Sequence, residues 1–145
     1  MQTGFKHLHI LLPYLLLLLP LLAIVVSLVK EKNETVSGKP SKLVLFTLIF
    51  SHIQLVVGLV LLVMDIMKNT GIMKNPDLRK KLVEHPAMMI LAVVFITIGY
   101  SKAKRATNGR VRAKKIAVFY GLGLLITLVA ITYLGYWSQL AFMPK

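Results

Sequence analysis

Four long apolar runs, separated by short charged loops, constrain the fold of this 145-residue chain more than any other feature. A transmembrane helix needs about 20 apolar residues to cross about 30 Å of hydrocarbon. The chain is 57% hydrophobic, whereas soluble domains contain about 45–50% apolar residues. We therefore predict an all-α membrane protein, one domain over residues 1–145, that forms an up-down bundle of four transmembrane helices in the lipid bilayer. The predicted spans are about Leu8–Val29, Leu43–Met64, Val83–Tyr100 and Ile116–Trp137.

The net charge of +13 is better explained by membrane topology than by nucleic-acid binding. The basic residues lie in the short loops, and lysine and arginine are enriched in the cytoplasmic loops of membrane proteins. Eleven of the 18 belong to the first and third loops, and the third loop contains no acidic residue. We therefore expect these two loops in the cytoplasm and both termini outside it. Tyr133, Tyr136 and Trp137 would then form an aromatic belt at the outer interface.

Several chemistries have no residues to support them in this sequence. There is no cysteine, which excludes disulfides, iron–sulfur clusters and cysteine nucleophiles. The sequence also contains neither a glycine-rich phosphate loop nor a Ser-His-Asp arrangement. It therefore favours a non-enzymatic role and does not predict a nucleic-acid partner.

The second loop predicts a short amphipathic helix, about residues 76–84, on the outer membrane surface. Asn75 fits an N-cap followed by a first-turn proline, and two leucines one turn apart flank three basic residues. Pro86 cannot donate a backbone hydrogen bond, so a break or kink is expected there. This places His85 at the joint, at the mouth of the third span.

Two of the four histidines, His9 and His85, share a depth and an inward direction. At 100° per residue, most of the small or helix-breaking residues of span one lie on the face of His9. The face of His85 carries the small residues that pack helices in lipid, and His7 points away from His9. The three inward rows are His9, Pro13, Leu16, Pro20, Ala23, Ser27; His85, Met89, Ala92, Ile96, Gly99, Ala103; and Gly121, Leu125, Leu128, Thr132, Gly135, Gln139.

His9 and His85 are therefore candidate axial ligands of one haem b near the outer face. Spans one and three lie diagonally in an up-down bundle, and neutral imidazole is a good ligand for haem iron. The residues expected to leave room for the flat macrocycle are Ala92, Gly99 and Gly135. The basic residues expected to face its propionates are Arg79, Lys80 and Lys81. Glu84 is a candidate to orient an imidazole. The simpler alternatives are interfacial histidines and plain helix packing.

The second span has two faces that both need contact with protein or a cofactor. His52 lies near the bilayer centre, where a histidine is costly and is usually functional. A separate polar row consists of Thr47, Ser51, Gln54, Gly58 and Asp65. We expect one face to look into the bundle and the other to meet a second copy of the chain or a larger membrane complex. His52 with His85 is the alternative ligand pair, and His52 is otherwise a candidate proton, quinone or subunit contact.

Three stretches resemble small four-span bacterial membrane proteins labelled cytochrome B. They read GFKHLHILLPY, SHIQLVVGLVLLV and EHPAMMILAVVFITIGYSKAKRAT, and they cover roughly half the chain. The resemblance implies a bacterial inner-membrane protein that binds haem b, with His9, His52, Gln54 and His85 as the marked positions. A looser similarity is to one half of haem A synthase, a four-helix bundle with histidine ligands near its outer face. This chain has one such bundle, and its Glu84 is directly adjacent to His85.

Two functional hypotheses follow from the sequence. The first is a haem b protein that passes electrons, with quinone as a candidate partner, or that carries haem for oxidase assembly. The second is a non-catalytic accessory subunit of a larger membrane complex. A transporter is disfavoured because no span has paired intramembrane acids or duplicated broken helices.

Overall fold

The computed structural model describes residues 2–31, 39–133 and 135, and no strand occurs among them. Its helices are α1 (Gln2–Lys30), α2 (Lys42–Ile66), α3 (Pro76–Arg79), α4 (His85–Lys104) and α5 (Gly109–Tyr133), with a π-helical turn at Lys80–Glu84. The stretches long and apolar enough to cross a membrane are Thr3–Lys30, Lys42–Ile66, Pro76–Lys104 and Gly109–Tyr133. The predicted all-α bundle of four membrane-spanning helices is therefore confirmed. Tyr136, Trp137 and Gln139 lie outside the described residues.

The four long helices form a ring in which each helix packs against its neighbours in sequence, and α1 and α5 close the ring. Helix α1 packs against α2 and α5, and α4 packs against the same two helices. As a result, α1 and α4 lie diagonally across the bundle, as expected for spans one and three. Residues on their inward faces can therefore meet only at the bundle centre.

The segment predicted as a separate surface helix is instead the beginning of the third span. Asn75 caps it as expected, because its Oδ1 accepts hydrogen bonds from the backbone N–H groups of Asp77 and Leu78, at 3.0 and 3.4 Å. The chain does not break at Pro86 but passes through the π turn into α4, where the N–H of His85 donates to the carbonyl of Lys80. A proline ring clashes with the carbonyl four residues earlier, and the wider π turn gives that carbonyl more room.

The inward row predicted for the fourth span is wrong. Leu125, Thr132 and Gly135 are exposed, and the buried residues of α5 are Gly109, Arg112, Ala113, Ile116, Tyr120, Gly123, Ala130 and Ile131. The glycines that matter are those where α4 and α5 touch. A Cβ on Gly99 would lie 2.6 Å from Cβ of Phe119, and one on Gly123 would lie 2.8 Å from Cγ1 of Ile96. Gly99 therefore allows close helix packing and provides no room for a macrocycle.

The two ends of the bundle differ, and we name them by the polar side chains that point into the bundle. The arginine half contains Arg112, the C-terminal ends of α1 and α4 and the N-terminal ends of α2 and α5. Its buried core consists of Ala23, Val44, Ile96, Ala103, Ile116 and Tyr120. The histidine half contains the opposite ends of these helices, the π turn, and both His9 and His85. The functional candidates lie in this second half.

Candidate functional site

A cavity of about 170 Å³ lies in the histidine half and is lined by residues of all four spans. Its wall is mostly aliphatic and carries a few polar groups, a composition typical of sites that bind small molecules or cofactors. Ala92 lies in this wall, as expected for a small residue that leaves room for a ligand. The polar side chains in the wall are His9, Ser51, Gln54, Asp65, Lys81, His85 and Thr127.

The imidazoles of His9 and His85 approach each other from the diagonal helices α1 and α4. Their ring centres are 6.1 Å apart and their planes are perpendicular. Nδ1 of His9 is buried and has no hydrogen-bond partner among the described residues. The structure thus brings together the two histidines that the helical phase placed on facing sides, within a cavity that both of them line.

Two residues of α2 lie against His9. Nε2 of Gln54 donates a hydrogen bond to the main-chain oxygen of His9 at 3.0 Å. Gly58 lies beside the imidazole, because a Cβ added there would stand 3.0 Å from Cε1 of His9. The polar row of span two therefore faces the bundle, and its members Thr47, Ser51, Gln54 and Asp65 are buried.

Lys81 is the one member of the predicted basic group that lines the cavity. Its Nζ lies 3.0 Å from Oδ2 of Asp65, whose carboxylate is largely buried at the end of α2. An ion pair between the π turn and α2 therefore stands beside the two histidines. The sequence analysis named both Lys81 and Asp65, but it did not predict that they form an ion pair.

The other two basic residues are engaged elsewhere and do not line the cavity. Nε of Arg79 donates a hydrogen bond to Oε1 of Glu84 at 3.1 Å, so the carboxylate predicted to orient an imidazole holds a guanidinium. Nζ of Lys80 lies over the ring of Tyr133, 5.3 Å from its centre. Of the three basic residues predicted to face haem propionates, only Lys81 therefore lies in the cavity wall.

His52 does not join the cavity. Its side chain is exposed on α2, on a face away from the buried polar row, and its Nδ1–H donates to the carbonyl of Leu48 at 2.8 Å. The alternative ligand pair of His52 and His85 is therefore not brought together. His7 is also exposed, as the helical phase predicted for it.

A buried ion pair in the arginine half was missed at the sequence level. Nη1 of Arg112 lies 3.7 Å from Oε1 of Glu31, and the two residues are only 1% and 6% exposed. Burial raises the pKa of the Glu31 carboxyl above its usual 4.5, and the nearby charge of Arg112 opposes that shift. The available signal was helical phase, since Glu31 continues the inward row of His9 one turn beyond Ser27.

The chain matches no protein-family model, no curated protein and no solved structure. Functional inference therefore depends on the residues of the site itself. Among the described residues, no group of three or more His, Cys, Asp or Glu side chains is placed to hold a metal ion. The two histidines are therefore not joined by a third side chain of these types among the described residues.

Proposed function

We propose that this chain is a membrane protein that binds haem b, with His9 and His85 as its two axial ligands. The observation that carries the proposal is the spacing of the two imidazoles. A ring nitrogen lies about 2 Å from a bound first-row metal ion and the ring centre about 1 Å beyond it, so opposed imidazoles on one ion have centres about 6 Å apart. The observed separation is 6.1 Å.

The number of protein ligands also supports haem over a metal ion bound by protein alone. A zinc site needs three or four protein ligands, and the described residues offer no such group. Haem brings four equatorial nitrogens with its iron and needs only one or two axial residues from the protein. Two histidines are therefore a sufficient donor set for haem.

The surroundings of the histidines favour an apolar planar ligand. The cavity wall is mostly aliphatic, and its volume of about 170 Å³ is below the roughly 300–1,000 Å³ of typical ligand pockets. A haem held by the two imidazoles would therefore require the surrounding helices to move apart from their positions here. Gln54 anchors the main chain at His9, and the missing side chain of Gly58 leaves space for the imidazole.

Bound haem supplies one-electron redox chemistry, so the proposed role is electron transfer or haem handling for oxidase assembly rather than catalysis. His9 and His85 would hold the iron and keep it low-spin. The aliphatic wall would exclude water and thereby influence the potential of the iron. Quinone remains a candidate redox partner, because the site lies within the depth of the membrane helices.

An absorption spectrum, reduced minus oxidised, of the protein purified in mild detergent tests this proposal. We expect a low-spin b-type spectrum for the wild type. His9→Ala or His85→Ala should convert it to high-spin or abolish haem binding, because each variant removes one of two ligands. His7→Ala and His52→Ala are the matched controls and should keep the low-spin spectrum. A wild type without a Soret band would refute the assignment. Loss of haem in His52→Ala, with haem still bound in His9→Ala, would also refute it.

The proposed topology places the histidine half at the outer face of a bacterial inner membrane, with both termini outside the cytoplasm. The support is the excess of basic residues in the first and third loops, which join helices at the arginine half. A reporter that is active only outside the cytoplasm should be active when fused after Lys145. The same reporter inserted at Thr107 should be inactive, and the reverse pattern would overturn this orientation.

One observation favours the alternative role of an accessory subunit. His52 is exposed on a membrane-spanning helix, and a polar side chain in contact with lipid is costly. Contact of this face with a second copy of the chain or with another subunit would remove that cost. A strictly monomeric mass in native lipid particles, with no co-purifying protein, would count against such contact.

A further inference from the structure

We propose that an open groove between α1 and α5, in the arginine half, binds an anionic phospholipid of the membrane. The groove has a volume of about 520 Å³ and is lined by residues of both helices. Its wall shares no residue with the cavity of His9 and His85. The inference therefore goes beyond the proposed haem site and does not depend on it.

The first step is the depth of the groove in the membrane. The first membrane-spanning stretch ends at Lys30, and the fourth begins at Gly109. On α5 the groove runs from Arg110 to Val118, which at 1.5 Å per residue is about 12 Å toward the bilayer centre. The polar headgroup region adds several ångströms to each side of a hydrocarbon core of about 30 Å. The groove therefore includes the depth at which phospholipid headgroups meet their acyl chains.

The second step is the order of residue types along α5. The residues of α5 that line the groove are Arg110, Ala113, Lys114, Ala117 and Val118, and their spacing of three and four residues places them on one helix face. The two cations lie in the first two turns, near the end of the span, whereas Ala117 and Val118 lie deeper. A phospholipid has the same order, with a charged phosphate at the membrane surface and apolar chains below it.

The third step is the charge of the groove. Among the described residues of its wall, Glu31 is the single acid, and it is buried 3.7 Å from the guanidinium of Arg112. Arg110 and Lys114 are exposed, and Arg110 also takes part in a further interaction within the chain. The groove therefore presents an excess of positive charge. Basic pockets between transmembrane helices bind anionic lipid headgroups for this reason.

A phospholipid fits this groove better than a second copy of the chain does. Copies related by a two-fold axis within one membrane have the same orientation, so each would bring its own basic loops to the same depth. The third loop contains no acidic residue to offset that repulsion. Charge complementarity therefore selects an anionic lipid as the occupant.

Native mass spectrometry of the full-length protein in mild detergent tests this inference. The probes are phosphatidylglycerol and phosphatidylcholine with identical acyl chains, added at equal concentration. We expect the wild type to retain phosphatidylglycerol about fivefold more than phosphatidylcholine, the effect of one basic residue near an anionic headgroup. Lys114→Gln should remove most of this preference, and Lys114→Arg should keep it. Lys104→Gln removes an exposed cation at the same end of the bundle but outside the groove wall, and it should also keep the preference.

A second pair of variants tests the apolar part of the groove. Ala117→Leu fills the groove without a change of charge, so it should lower the retention of phosphatidylglycerol. Ala87→Leu makes the same substitution at an exposed position of α4 in the histidine half and should leave retention unchanged. Residues 114 and 117 are not buried, so both variants should keep the helical content of the wild type by circular dichroism.

Three results would overturn the inference. The first is equal retention of the two lipids by the wild type. The second is an equal loss of preference in Lys104→Gln and Lys114→Gln, because the attraction would then belong to the basic surface as a whole. The third is a wild-type dimer that Ala117→Leu dissociates, because the groove would then be a contact between two copies of the chain. None of these measurements depends on haem, so each leaves the proposed function to its own test.

Discussion

The histidine half and the arginine half are built from the same four helices, but their polar side chains differ in what they contact. Those of the arginine half join helices, whereas those of the histidine half line a cavity. In the arginine half, glycine and alanine let α4 and α5 touch, and the hydroxyl of Tyr120 donates to the carbonyl of Val44 at 2.8 Å. Its charges, Arg112 and Glu31, pair with each other, and Glu31 also borders a groove between α1 and α5. In the histidine half the helices enclose a cavity, and Nδ1 of His9 has no hydrogen-bond partner among the described residues.

This difference indicates that the arginine half mainly stabilises the fold and that the histidine half is the part suited to binding a ligand within the bundle. Buried polar groups are normally satisfied by protein or water, and exceptions call for an explanation. In the arginine half the polar contacts join helices, so their loss should affect folding. Both halves contain buried polar atoms without a hydrogen-bond partner among the described residues, for example Oγ of Ser27 in the arginine half and Nδ1 of His9 in the histidine half. Only those of the histidine half line the cavity between His9 and His85, so their loss should affect a ligand more than the fold.

The largest expected effect is the removal of Arg112. Arg112→Met leaves Glu31 buried without its partner, and breaking a buried ion pair by removing one member costs about 3–5 kcal/mol. We expect a clear fall in resistance to unfolding by sodium dodecyl sulfate, followed by circular dichroism. The double variant Arg112→Met with Glu31→Gln should recover part of the loss. Unchanged resistance in the single variant would show that the arginine half is not held together in this way.

A pair of glycine substitutions compares the two halves directly. Gly99→Ala places a Cβ 2.6 Å from Cβ of Phe119, and such overpacking costs about 1–3 kcal/mol. Gly58→Ala instead presses on the flexible imidazole of His9 at 3.0 Å, so it should disturb haem binding with a smaller loss of stability. Gly121→Ala meets nothing within 4 Å and is the control for both. If Gly99→Ala changed the haem spectrum while Gly58→Ala did not, the proposed division of the molecule would be wrong.

Removal of one hydroxyl should have a smaller effect, confined to the arginine half. Tyr120→Phe deletes the donor to Val44 but keeps the ring, and such a hydrogen bond contributes about 0.5–1.5 kcal/mol. Thermal unfolding in detergent should show a modest decrease in the transition temperature. Thr97→Val provides a comparison on the exposed side of α4, because it removes a hydroxyl that donates to a carbonyl of its own helix. An equal decrease in both variants would argue against a special role for the Tyr120 contact.

The smallest expected effect is a pH dependence from Glu31. Because burial raises its pKa in the folded state, the folded protein binds this proton more tightly than the unfolded chain does. The stabilisation is complete below the usual pKa of 4.5 and is lost as pH rises through the raised value. Stability measured upward from pH 4.5 should therefore contain a falling contribution that Glu31→Gln removes. A variant whose pH profile matched that of the wild type would exclude Glu31 as the source.

The sequence by itself determined the fold class, because four runs long enough to span a bilayer leave few alternatives to a helical bundle. Helical phase was also sufficient to predict that the rows of His9 and His85 face into the bundle and that the polar row of α2 is buried. These features follow from periodicity within one helix, which a sequence contains in full.

Only the tertiary structure decided how the helices meet. The contact face of α5 was mispredicted because Gly121 and Gly123 are equally small, and only the approach of α4 selects Gly123. The partners of Arg79 and Lys81 depend on the π turn, which shifts the register of the side chains before Pro86. The ion pair of Arg112 with Glu31 joins two helices that are distant in sequence. Periodicity gives the direction of a side chain from its own helix, whereas a contact also depends on the rotation, depth and spacing of a second helix.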